Sequence, residues 1–481
     1  MQAFLKKYQN LILLLLWGLW AALAVQGLPL RIPYIDESHA YNIAANTNLL
    51  DWILLPKYEG HFFSWFFVLK LTKWLVPLPY PWDMFVVNFI LMSVFVWWVL
   101  KKSQLAWFVK LLLIFSYPIC FFYSVYARCY SVFLLLLLLT CNAYPRRVER
   151  PMVFFICLFF LAHTCIFGTI AAVAFGLIWA FDLWLAYRKR QVSARTLWLC
   201  AGLSVLTGIL LWIETFPHYV PVYNIRPVFK QALPQFSKLQ WSQISGYILF
   251  GLLLVKNWRV CFWYAVTTLS IVLIHYNMYR LTYWHFTLFY VFAIFSLWIY
   301  DCKKYKKTAI LLVGLLAVFF YQDLRYDEPF FYRFKYDWDK TLVADNKETL
   351  KNATVFVGTL HTSGTVPFLN LLGIKPISME TGMEMYSMEN LKWFHRKHAI
   401  WDIKIDYGKI KDKIDFSKPT LLIAKRYEVL RLVYWDYDDR RFTFEEIDCA
   451  PGGREIMQPC IFKVIPDPND TQQVVQEDEE D

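Results

Sequence analysis

Long apolar runs recur from Leu11 to Tyr321 and then stop. A bilayer offers no water to backbone N–H and C=O groups, so such runs fold as helices that satisfy those groups internally. A span needs roughly 20 residues, fewer where neighbours thin the bilayer. On this basis the chain reads as a multi-pass α-helical membrane protein with about eleven transmembrane helices. The expected spans are Leu11–Leu28, Phe85–Leu100, Lys110–Tyr126, Tyr130–Tyr144, Pro151–Ala162, Cys165–Ala186, Leu197–Glu214, Trp241–Val255, Val260–Tyr276, Tyr283–Tyr300 and Thr308–Tyr321. Composition agrees: 58% of the residues are hydrophobic and 19% aromatic, and many Trp, Tyr and Phe fit lipid-facing and interfacial positions. Lys6 and Lys7 precede the first run and no small-residue cleavage site follows it, so it reads as a retained span.

The net charge of +11 would suggest nucleic acid in a soluble protein. Here the basic residues fall in short clusters between apolar runs, which is a topology signal and points to no nucleic-acid partner. The clusters are Lys6–Lys7, Lys101–Lys102, Arg146–Arg147 with Arg150, Arg188–Arg190 with Arg195, Lys256 with Arg259, and Lys303–Lys307. With the spans above, every cluster lies on one side, the cytoplasmic one. His61–Leu78 is apolar too, but it carries Lys70 and Lys73 and ends in PLPYP. It reads as an amphipathic helix lying in the interface.

Three regions follow: a membrane domain over 1–321 with its first outer loop at 29–84, a small C-terminal α/β extracytoplasmic domain over 322–465, and an acidic disordered tail over 466–481. In the soluble domain Thr354–Gly358, Leu421–Ala424, Phe442–Glu446 and Ile461–Val464 read as strands, and Asp339–Leu350 and Leu391–His398 as helices. It contains no GxGxxG, Walker, Gly-x-Ser-x-Gly or zinc signature. Cys449 and Cys460 flank a Gly-Gly turn, which suggests a hairpin that a disulfide would close in an oxidising compartment, with two reduced buried cysteines as the alternative.

Polar residues collect on the other side. The stretch Ile35–Ala44, IDESHAYNIA, opens the first outer loop with Asp36 and Glu37, followed by His39 and Tyr41. His61 comes next, then Arg128 in SVYARCYS, His163–Thr164, Glu214, Arg280 and His285. Each of these residue types also serves as an interfacial anchor. Ionisable residues gathered at span ends on one face are nonetheless a functional-site hypothesis.

These pieces resemble the C-type membrane glycosyltransferases (GT-C), within them the dolichyl-phosphate-mannose protein mannosyltransferase and aminoarabinose transferase group and its bacterial relatives. The resemblance rests on Asp36-Glu37-Ser38-His39-Ala40-Tyr41, Gly60-His61, Tyr126–Ser131, His163-Thr164 and Arg280 through His285, and covers roughly two thirds of the chain. The chain departs from the family in having His61-Phe62-Phe63 where relatives often have His-Pro-Pro, and Cys129-Tyr130 after Arg128 where some have an acidic residue. The resemblance implies transfer of a hexosyl or pentosyl group from a polyprenyl-phosphate-linked donor to a glycolipid, glycan or protein acceptor, with inversion and Asp36 as base. Glu37 is the second carboxylate. A partly desolvated carboxylate is a competent general base. Arg128 and Arg280 suit the phosphate of the leaving lipid. His39, Tyr41, His61, His163 and His285 are the substrate-binding candidates. No cofactor is required, and a divalent metal between Asp36 and a histidine is the lesser alternative.

Two other classes stay open at this level: a polytopic transporter or lipid flippase, which would place charges near the midplane and repeat its halves, and a glycan ligase or polymerase. The expected location is the bacterial cell inner membrane with the soluble domain periplasmic. The Asn-x-Thr sites at Asn352 and Asn469 keep an endoplasmic reticulum membrane open.

Overall fold

The computed structural model describes residues 8–26, 28, 35–48, 62–215, 238–277, 283–300, 302, 304–325, 338–358, 365–378, 383–384, 417–425, 429, 442–449 and 459–466. The chain is mostly helical. Its helices are α1 (Gln9–Val25), α2 (Ile35–Asn46), α3 (Phe63–Leu75), α4 (Trp82–Lys102), α5 (Trp107–Ile114), α6 (Tyr130–Ala143), α7 (Pro151–Ala162), α8 (Ile166–Arg188), α9 (Ala194–Thr215), α10 (Lys238–Leu253), α11 (Trp258–Asn277), α12 (Tyr283–Ile299) and α13 (Lys306–Arg325). Among the described residues three helices are long and apolar enough to cross a membrane: Trp82–Lys102, Ile166–Arg188 and Ala194–Glu214. The last leaves most of its surface uncovered by protein, with Trp198, Val205, Leu206 and Trp212 exposed. A bilayer is the medium that suits such a surface.

Most expected spans coincide with helices to within a turn, and Pro151–Ala162 coincides at both ends. The expected span Lys110–Tyr126 does not form one helix. It breaks into α5 and a single π-turn over Pro118–Phe122. Proline has no N–H and its ring strikes the preceding turn, so a helix entering Pro118 must break. The break sits inside the bundle, where its carbonyls need donors. Asn88 of α4, fully buried, supplies both side-chain hydrogens, to Tyr123 O at 3.0 Å and Ser124 O at 3.1 Å. Tyr290 of α12 caps the other side of the break, donating to Leu112 O at 2.9 Å.

The segment read as interfacial is α3, with 13 residues. It buries Trp65, Phe66 and Leu69 and exposes Phe67, Leu71 and Trp74, in keeping with an interfacial helix.

Beyond α13 come α14 (Trp338–Asp345), α15 (Lys347–Lys351) and α16 (Val366–Leu371), with strands β1 (Thr354–Val357), β2 (Ile377–Ser378), β3 (Thr420–Lys425), β4 (Phe442–Cys449) and β5 (Pro459–Pro466). The five strands form one mixed sheet in the order β2-β1-β3-β5-β4. β1 runs parallel to β2 and β3, while β5 runs antiparallel to β3 and β4. The expected helix Asp339–Leu350 is interrupted at Asn346, whose side chain bonds Asp448 Oδ2 at 2.7 Å. The expected helix Leu391–His398 and nearly all of the acidic tail lie outside the described residues, and β5 runs to Pro466. Cys449 and Cys460 face each other across β4 and β5 and form a disulfide.

The period-two alternation of the strands divides the soluble core. Phe356, Leu422, Ala424, Phe462 and Val464 fill a small cluster on one face of the sheet. Val355, Val357, Leu421, Ile423 and Ile461 point the other way, into the same continuous core as the membrane helices. Leu342, Val343, Leu350, Phe368 and Leu369 join that core. The sheet domain is therefore seated on the bundle through a shared apolar interior.

Candidate functional site

Helix α2 carries the acidic pair. Its sequence is too polar for a span, and among the described residues its buried apolar stripe is Ala40, Ile43 and Ala44. Helix propensity alone would leave a 12-residue helix marginal. Hydrogen bonds from remote parts of the chain hold it instead. The Glu37 carboxylate, fully buried, accepts the backbone N–H of Ala127. Ser38, also fully buried, accepts at Oγ from the Tyr80 hydroxyl at 2.8 Å and from Asn370 Nδ2 at 3.3 Å. Tyr41 donates to Asp83 Oδ2 at 2.5 Å and packs its ring 4.8 Å from that of Tyr80. Burial, then the bond to Asp83, pushes the Tyr41 phenol well above its ordinary pKa, so it stays a donor at neutral pH.

The C-terminal end of α2 leaves carbonyls without helical partners. Lys70 of α3 answers them, donating to Ala45 O and Thr47 O, both at 3.1 Å. A cation at this end also opposes the helix dipole. Lys70 thus has a specific partner beyond the interfacial role its sequence context suggests.

The Glu37–Ala127 bond joins α2 to the second matching piece, Tyr126–Ser131. Arg128, half-buried, lies between aromatic faces, its guanidinium carbon 5.7 Å from the Tyr126 ring and 6.0 Å from the Tyr130 ring. Cys129 shares a thiol hydrogen bond with Cys165, and this bond and burial hold the Cys129 thiol well above its ordinary pKa. Tyr130 meets the His285 ring at 6.5 Å, and Phe167 lies 5.7 Å from the same imidazole. Tyr123 and Thr287 share a hydroxyl hydrogen bond of 2.8 Å.

His163 ends α7 at the same end of the bundle. Its Nδ1 is 2.7 Å from Glu214 Oε2, and the two side chains are 1% and 2% exposed. Phe63 and Phe159 flank the ring at 5.3 and 4.6 Å, and Ser64 of α3 donates to the His163 carbonyl. The other ring nitrogen, Nε2, has no hydrogen-bond partner among the described residues. The turn is tight: a Cβ at Gly168 would strike Thr164 Oγ1 and the Leu161 carbonyl. Only glycine lets Thr164 tuck in and donate to Leu161 O at 2.8 Å.

Glu37, Tyr41, Arg128, His163 and His285 thus occupy one connected end of the bundle. Asp36 and His39 stand on α2 by their backbone positions. His61 and Arg280 lie outside the described residues. The sequence reading did not assign Ser38, Tyr80, Asp83 or Asn370 to the site. Asp83 had a signal in retrospect, as a carboxylate in the first turn of a span. Asn370 had none, since it lies 332 residues from its partner.

The opposite end is also polar. Asp182 of α8 receives Arg147 Nε at 2.8 Å and Nη2 at 2.5 Å, and Arg259 Nε at 2.9 Å and Nη2 at 2.6 Å. Arg147 and Arg259 come from two of the basic clusters that charge topology places on one side, and a shared carboxylate puts them at one end of the bundle.

Among the described residues the only group with metal-ligand proximity is Glu446, Cys449 and Cys460. Its two sulfurs are bonded to each other, so it offers no thiolate pair. The chain matches no model of a known protein family, no curated protein and no solved structure.

Proposed function

We propose that this protein is an integral membrane glycosyltransferase with about eleven spans. In this reading it moves a sugar from a polyprenyl-phosphate donor to a glycolipid, glycan or protein acceptor at the extracytoplasmic face. In this reading the sheet domain lies on the extracytoplasmic side, which the charge pattern favours, and the membrane is the bacterial inner membrane. The supporting observation is the bond from Ala127 N–H to Glu37, which holds the helix bearing Asp36 against the loop bearing Arg128. In this reading the proposed base and the proposed phosphate-binding cation stand on adjoining elements.

The chemistry follows from these groups. Asp36 takes the proton of the acceptor hydroxyl as its oxygen attacks the anomeric carbon. The bond from that carbon to the phosphate oxygen breaks, the configuration inverts, and the electron pair leaves with the lipid phosphate. Arg128 and Arg280 stabilise the departing charge by charge-assisted hydrogen bonds. Glu37, buried and committed to a backbone N–H, orients α2. No metal or cofactor enters the scheme.

The test is mass spectrometry of surface glycolipids and glycoproteins from a deletion strain carrying either wild type or Asp36→Asn at matched protein level. Removing a general base costs on the order of 10²–10⁴-fold. One sugar-sized mass should disappear on deletion and return with wild type alone. Full restoration by Asp36→Asn would remove Asp36 from the role of base, and an unchanged glycan profile on deletion would remove the transferase reading.

A further inference from the structure

The sheet domain carries no catalytic signature, yet one of its side chains reaches the helix that bears the acidic pair. α16 lies against α2. It is rigidly held: Thr365 at its start is fully buried, Phe368 and Leu369 sit in the core shared with the bundle, and Gly373 ends it at φ +75°. A positive φ is what glycine adopts without steric cost. From this frame Asn370 extends Nδ2 to Ser38 Oγ at 3.3 Å. Ser38 is two residues from Asp36 and adjacent to Glu37, and it is completely enclosed.

The Ser38 hydroxyl oxygen receives Tyr80, from the segment leading into α4, at 2.8 Å and Asn370 at 3.3 Å, with Asn42 Nδ2 of α2 itself farther off at 3.4 Å. The first turn of α2 is therefore fixed from two directions, by the membrane bundle and by the sheet domain. General-base chemistry is sensitive to this, because misplacing a reacting group by about 1 Å costs on the order of 100-fold.

We propose that Asn370 is a positioning residue for the α2 carboxylates, and that the sheet domain is thereby a working part of the site. The catalytic half of this proposal rests on the transferase reading, while the coupling between α16 and α2 does not. The domain contributes an amide donor, through Ser38, to the placement of the helix.

The experiment uses the full-length protein in detergent, with Asn370→Ala, Ser38→Ala, the double variant, and Asn370→Ser as a milder change that keeps a donor should alanine impair folding. Hydrogen exchange is followed on peptides covering Ile35–Asn46, with Trp82–Lys102 as internal reference. Asn370→Ala should raise exchange in α2 several-fold and leave α4 unchanged. Turnover should fall about tenfold with donor KM unchanged, a split that simple loss of folded protein would not give. The double variant should cost no more than Ser38→Ala alone, because Ser38→Ala already removes the Asn370 bond together with the Tyr80 bond. Unchanged exchange in α2 for both Asn370 variants would overturn the proposal, as would additive effects of the two alanines. Increased α2 exchange in a protein whose wild type transfers no sugar would support the coupling and overturn the catalytic role.

Discussion

At one end of the bundle Asp182 is held by two guanidinium groups, while at the other Glu37, Asp83 and Glu214 are held by a backbone N–H, a phenol and an imidazole. Both ends bury carboxylates, but they compensate the charge differently. Asp182 receives four short bonds from two cations, so its lone pairs are saturated and its charge more than balanced. That arrangement staples the turn after α6, the helix α8 and the start of α11. At the α2 end a backbone N–H, a phenol and an imidazole help fix where the carboxylates point. An end built to cohere uses ion pairs of the Asp182 kind. In the transferase reading, a site acting on a substrate depends on how its groups are oriented.

The largest effect should come from breaking the saturated end. Asp182→Ala strands Arg147 and Arg259 with no shared anion. Loss of one partner of a buried pair costs roughly 3–5 kcal/mol. Arg259 is 31% exposed, which lowers the expected cost to about 3 kcal/mol. Thermal unfolding in detergent should show a fall of several degrees, with Asp182→Asn intermediate. In the transferase reading, transfer per folded molecule should be unchanged, because the residue lies at the far end. A melting point equal to wild type would mean that the two ends do not differ in the way argued.

A second experiment sharpens the contrast at the α2 end. If Glu214 serves as an acceptor more than as an anion, Glu214→Gln should keep most of its value, since the amide oxygen can still take Nδ1–H of His163. Glu214→Leu leaves that buried donor unpaired, at about 1–3 kcal/mol. The expected order of stability is wild type, then Gln close behind, then Leu. Equal losses for Gln and Leu would show that the charge itself is needed and that this end too depends on ionic pairing.

The contrast also explains what could be read in the sequence. Helix positions in the apolar half are legible because apolar length is a local property, and Pro151–Ala162 coincides with a helix at both ends. The break at Pro118 was visible as a proline, yet the run around it stayed apolar, so hydropathy carried the reading across it. The strands Thr354–Val357 and Thr420–Lys425 showed as short apolar runs. β2, with two residues, and α16, with six, were too short to leave a pattern. At the site, Glu37, Arg128, His163 and His285 stood out as ionisable residues at span ends. The residues that tie down the first turn of α2 did not, because Ser38, Tyr80 and Asn370 are ordinary polar residues that matter only through contacts across the fold.

Tyr41 tests the same end by pH. Tyr41→Phe removes a hydrogen bond to a carboxylate, worth roughly 1.5–3 kcal/mol at most and less where water can replace it. The folded state holds the Tyr41 proton more tightly than the unfolded chain does. Its stabilising contribution is therefore fully present below about pH 10, where the unfolded phenol ionises, and is lost as pH rises above that. Wild type should lose stability faster than Tyr41→Phe between about pH 10 and pH 11. Parallel pH–melting curves would show that the Tyr41–Asp83 bond does not set the phenol's affinity for its proton.

The smallest effect concerns the C-terminal end of α2. Burial, then the neighbouring Lys73, pushes the Lys70 pKa down, so keeping its ammonium charged there has a cost. Two carbonyl acceptors at 3.1 Å and the negative end of the helix dipole offset it. Lys70→Met keeps the apolar stem and deletes only the charged head, which isolates the cap. A cation at a helix C-terminus contributes about 0.3–1 kcal/mol, so the global melting point should barely move. The last turn of α2 should fray, seen as faster amide exchange near Ala45 and Asn46 with the first turn unaffected. If the first turn loosens as well, α2 is held as one rigid unit, and the anchors at Glu37 and Ser38 depend on the cap. If neither end changes, those anchors carry the helix alone, and the α2 end tolerates loss of its nearest cation where the Asp182 end cannot tolerate loss of its anion.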